Sequence, residues 1–123
     1  MIALAEFERI VDETVAQLPE PFRARIDNLA IVVEEFPDAR TLRAAGLNNQ
    51  YALLGFYHGI PRTERRQGYN MVAPDLISIY RQPIMQHYRT DDAIRAGIRH
   101  TVLHELAHYF GIDDERLMEI GAY

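Results

Sequence analysis

The stretch HTVLHELAHYFGIDDERL, residues 100–117, decides how the rest of the chain is read. His100, His104 and His108 recur at every fourth position; Glu105 follows the second of them, and Gly111, Asp113 and Asp114 follow the third. On a helix, residues four apart lie one turn above each other, so two imidazoles can reach a single metal ion. His104, Glu105 and His108 form H-E-x-x-H. Glu105 lies about 100° further round the helix, placed to take a proton from a metal-activated water rather than to bind the ion itself.

The three histidines cannot all share one ion, because eight residues of helix separate His100 from His108 by about 12 Å. Of the two pairs, only His104 with His108 has both the glutamate and an acid beyond the glycine. His100 is therefore expected as a hydrogen-bonding neighbour that orients the ligands. A straight helix cannot supply a third ligand, but Gly111 lets the chain reverse. Asp114 can then return toward the ion, leaving the fourth position for water. Asp113 is the alternative ligand, although it could instead cap the short helical segment from Glu115 or pair with Arg116.

The cysteine count is zero, so a thiolate site, a disulfide framework and a thiol nucleophile are all excluded. A metal must be held by His, Asp or Glu, and two imidazoles with a carboxylate suit one Zn²⁺ with an open position. An aspartate ligand leaves that centre less positive than a third histidine would. The water there is then less acidic, and Glu105 is needed the more as base. Were these merely polar residues on a packed helix, two histidines and a glutamate would stand partnerless beside Val102, Leu103, Leu106 and Phe110.

Working outward, Thr90 or Asp91 caps the helix, Asp91 and Asp92 suit its positive end, and Gly111 stops it after Phe110. Upstream, Leu4, Phe7, Ile10, Val11, Val15 and Leu18 recur at helical spacing until Pro19 and Pro21, predicting a helix over about residues 4–18. LAIVV, residues 29–33, reads as a strand buried on both faces. Pro37, Gly46, Asn48 and Asn49 mark a connection with a helical turn at 41–45. A second strand is expected over 52–57, ending at the turn His58-Gly59-Ile60-Pro61. A polar loop follows over 62–70, then a third strand over 75–81 and a short helix over 83–87. The order is that of an α+β fold with a small sheet in one domain, residues 1–123.

The length of 123 residues and net charge of −5 suit one globular domain and argue weakly against a nucleic-acid partner. All 13 cationic residues are arginine, and only Arg62, Arg65 and Arg66 cluster, in what reads as a solvated loop. No apolar run approaches the roughly 20 residues that span a bilayer, and the N-terminus lacks the basic start of a secretion signal, so a cytoplasmic location is expected. His58 and His87 read as surface or hydrogen-bonded residues. Tyr57, Tyr80, Tyr88, Tyr109 and Tyr123 read as core edge or surface, with one of them a candidate donor to an oxyanion. Met118 is expected to serve packing rather than to form a methionine turn beneath the metal.

The segment RHTVLHELAHYFGIDDERLMEIG, together with LPEPF, LLGFYHGIPRTER and PDLISIYRQPI upstream, resembles a family of small bacterial zincin-like metallopeptidases. The likeness spans nearly the whole chain and is most specific in the extended motif HExxHxxGxxD. It implies a minimal zincin: a small mixed sheet of about three strands, an N-terminal helix, and a C-terminal active-site helix beneath a cleft, with zinc on His104, His108 and Asp114. The expected activity is hydrolysis of a peptide or protein substrate, with Glu105 as general base and the strand at 75–81 as the edge along which the peptide lies. A metal-binding interaction module with structural zinc or vestigial activity is a second reading, which the intact Glu105 disfavours. A metal-dependent nuclease is a third, disfavoured by the acidic charge.

Overall fold

The computed structural model describes residues 1–59 and 75–119, apart from the side chains of Asp114, Leu117 and Met118. Ile60, Pro61, the polar loop at 62–70 with its three arginines, and Tyr123 fall outside the described residues. So do the side-chain roles expected for Asp114 and Met118.

Helix α1 (Leu4–Ala16) turns Phe7, Ile10, Val11 and Thr14 inward. It stops two residues short of the expected end because Leu18 precedes Pro19, a position from which helical backbone is sterically disfavoured. Leu18 still reaches the core. A single turn, α2 (Glu20–Arg23), follows with proline in its opening positions. Strand β1 (Leu29–Glu34) leads to α3 (Ala39–Ala44), whose first turn is capped by Asp38 accepting from the Thr41 amide at 2.8 Å. Strands β2 (Gly55–His58) and β3 (Asp75–Tyr80) come next, and α4 (Arg81–His87) continues directly from β3.

The last long helix, α5 (Asp91–Phe110), has the predicted limits. Thr90 caps it by accepting from the Ala93 amide, and Gly111 leaves it at φ 75°. The Ile112 amide donates back to the Ala107 carbonyl at 2.9 Å, closing a left-handed C-terminal turn that glycine adopts without steric penalty. Helix α6 (Asp114–Glu119) packs back on α5.

The sheet order is β1-β3-β2, with β1 parallel and β2 antiparallel to β3. Two expectations are corrected by this order. The apolar run of β1 is not covered on both faces: Leu29, Ile31 and Val33 pack on the core, whereas Val32 is 37% exposed on the other face. The strand at 75–81, expected as the substrate edge, is the centre of the sheet, paired on both sides. Its polar residues tolerate that place because neighbours satisfy them. Asp75 accepts from the Tyr57 hydroxyl, while Ser78 donates to Glu34 at 2.7 Å and lies 3.2 Å from His58.

Ile77 and Ile79 of β3 meet Ile94, Ile98, Val102 and Leu106 of α5 and Phe7 and Ile10 of α1, all buried. With β2 also against it, α5 has one flank in the core and the other directed over the β2 edge. The result is an α+β architecture with a three-stranded mixed sheet, an N-terminal helix and a long C-terminal helix.

Candidate metal centre

The second half of α5 alternates core and site residues by helical phase. Thr101, Val102, Leu106 and Phe110 are buried, His104 is half-buried and His108 is exposed. Glu105 is the exception to what charge predicts, being only 5% exposed. A carboxylate is costly to bury without polar neighbours. One of its neighbours is His108, whose Nδ1 lies 3.2 Å from Oε1 of Glu105. With the proton on Nδ1 the imidazole donates to that carboxylate, and its Nε2 keeps a lone pair for a metal.

The His104 and His108 rings have centroids 4.6 Å apart at 66°. Ligand atoms of His104, Glu105 and His108 all lie within 4.8 Å of one another, the group among the described residues able to hold an ion. Two imidazoles one helical turn apart offer nitrogen donors that suit zinc, so these residues fit a metal, with the Glu105 carboxylate beside them. No helix among the described residues is long and apolar enough to cross a membrane.

Beside this group is a hollow lined by Leu53, Leu54, Gly55, His100, Thr101, His104 and Glu105. Gly55 is what allows α5 to approach β2. A Cβ there would lie 2.8 Å from the Thr101 methyl carbon and 3.2 Å from both Glu105 Cγ and the Ser78 carbonyl oxygen. Sequence reasoning passed over this lining, although a glycine within a strand is a recognised sign of close backbone approach. His100 is exposed at the hollow, one turn before His104.

The remaining candidates are placed elsewhere. Asp113 accepts from the Arg116 amide at 2.8 Å, capping α6 as its alternative reading expected. His58 stands on the opposite face of the sheet, beside Ser78 and Phe56, and His87 meets the Tyr88 ring edge to face. The tyrosines singled out among the described residues, Tyr57, Tyr80, Tyr88 and Tyr109, do not line the hollow. Tyr57 donates to Asp75, Tyr109 donates to the Asp27 carbonyl, and Tyr88 lies against Gly97. Tyr80 is buried beside Ser78 and Thr41, and burial first of all raises its pKa, so it stays protonated.

A family model for zincin-like metallopeptidases matches residues 26–122, beginning shortly before β1. The chain belongs to the zincin-like metallopeptidase family. Comparison with curated proteins gives no match. In this zincin the sheet, the helix α5 and the His-Glu-His group all fall inside the matched span, whereas α1 and α2 precede it.

Proposed function

We propose that this zincin is a zinc-dependent peptidase, with zinc on His104, His108 and Asp114 and with Glu105 as general base. The observation that carries this reading is the buried carboxylate of Glu105, set between two histidines and opening on a hollow beside a strand edge. A structural site needs ligands but no base, so a buried glutamate beside the two histidines favours hydrolysis.

Zinc bound there would act as a Lewis acid, polarising the scissile carbonyl and lowering the pKa of water. The Glu105 carboxylate takes the proton released as the water oxygen bonds to the carbonyl carbon. It then delivers that proton to the departing amine as the C–N bond breaks. His108, within hydrogen-bonding distance of Glu105, fixes the carboxylate's orientation. Asp114 opens α6 directly after the Gly111 reversal, and Asp113 is occupied as a cap; both favour Asp114 as the third ligand.

The substrate in this reading is an extended peptide, or a protein segment able to extend. Among the described residues β2 pairs only with β3, so its outer backbone groups can add a further strand alongside α5. Neither nucleic acid nor membrane is called for by a chain of net charge −5. The test is cleavage of a mixed peptide library followed by mass spectrometry. Cleavage should stop on chelation and return with zinc; cleavage indifferent to chelation would overturn the reading.

A further inference from the structure

Strand β1 is an edge of the sheet: among the described residues it pairs only with β3. An open edge presents backbone donors and acceptors that another chain can take up, and proteins usually blunt it with lysine, proline or a bulge. The run LAIVVE holds no lysine or proline, and its register with β3 is unbroken from Leu29 to Glu34. Its one charged residue, Glu34, is turned to Ser78 on the outer face.

The apolar residues of this edge are short of cover. Leu29, Ile31 and Val33 face the core yet stay only partly buried, and Val32 on the other face is 37% exposed. Between the edge and α1 runs a groove of about 480 Å³, lined by Glu8, Val11 and Asp12 of α1 and by Ile31, Val32 and Val33.

Charge decides what fits it. Arg9, the one cation of α1, pairs with Glu6 and Glu13, and among the described residues the exposed Glu8 and Asp12 have no ion-pair partner. One helical turn separates these two carboxylates by about 6 Å along the axis, and same-face residues of a strand are about 6.6 Å apart, so an added strand can answer both. Lysine or arginine suits those positions, because the methylene stem covers Ile31 and Val33 while the head meets a carboxylate. A second copy of this chain does not suit them. Its β1 brings no cation, and pairing edge to edge would set its Glu8 and Asp12 against their counterparts.

We propose that the β1 edge is a docking site for an extended basic segment of a partner protein, added as a further strand with lysine or arginine at every second position. This edge lies across β3 from β2, so it can be filled while the His-Glu-His group stays open.

The test is independent of turnover. A fluorescent peptide alternating lysine with valine is titrated into the protein, beside a control alternating glutamate with valine, and binding is followed by anisotropy and by NMR of the backbone amides. The lysine peptide should bind, shift Glu8, Asp12 and residues 31–33, and lose at least about tenfold in affinity from low salt to about 0.5 M. The control should not bind. Glu8→Lys combined with Asp12→Lys, two changes on exposed helix surface, should keep the circular dichroism of wild type and weaken the lysine peptide at least about tenfold. Unaltered binding by that folded variant, shifts centred on β2 instead, or no binding at all would each overturn the proposal. Sedimentation of the protein alone covers the remaining occupant: a dimer whose amide shifts on dilution fall at residues 31–33 would give the edge to a second copy and overturn it too.

Discussion

Glu105 is the residue on which the proposed chemistry turns, and the role proposed for it rests on phase and burial together. One position after His104, it points between the core flank and the ligand flank of α5, which buries its carboxylate while keeping it beside His108. The motif announced that much, since helical spacing alone puts His104, Glu105 and His108 on adjoining faces. The choice between the two aspartates was not legible, because either could cap a helix or bind a metal. The cap supplied by Asp113 sharpens it. Asp114→Ala should lower zinc affinity by at least about tenfold, measured by competition with a chromogenic chelator. Asp113→Ala should keep zinc and instead lose about 0.5–2 kcal/mol, the usual range for a removed N-cap, read from denaturant unfolding. Undiminished zinc in Asp114→Ala would move the third ligand elsewhere.

At the scale of elements, α5 was readable to within a residue, with Thr90 or Asp91 as cap, two acids in the first turn and Gly111 marking its ends. The strands were found within a few residues, but their places in the sheet were not. LAIVV looks like a central strand and DLISIY like an edge, yet β3 lies in the middle. What reverses the expectation is pairing across the sheet: Tyr57 answers Asp75, and Glu34 and His58 answer Ser78. No local pattern encodes partners that arrive from other strands. The contact of α5 with β2 depends on Gly55 in the same way. Thr101 cannot turn its methyl aside without giving up its bond to the Gly97 carbonyl. Gly55→Ala should therefore destabilise by about 1–3 kcal/mol, the range for overpacking a filled contact. Thr101→Ser, which removes the methyl, should recover part of that loss in the double variant. An unchanged denaturation midpoint for Gly55→Ala would show that the helix and strand are less closely held than the structure gives.

Taken whole, the molecule uses one half of its secondary structure to hold the other half's chemistry in place. Helix α1 and the isoleucines of β3 bury one flank of α5. The opposite flank is left over the β2 edge with His100, His104 and Glu105 around a hollow. An α+β fold with a small mixed sheet was legible from the order of apolar periods. The hollow was not, because it arises from residues 53–55 meeting residues 100–105 across about fifty positions of chain. In the proposed reading, Glu105 moves the proton while the neighbouring histidines hold the metal. The direct measurement is zinc content and peptide-library cleavage of Glu105→Gln beside wild type. One zinc per chain is expected in both, with the variant cleaving at least about a hundredfold more slowly than wild type. A Glu105→Gln protein that binds zinc and cleaves as fast as wild type would contradict it.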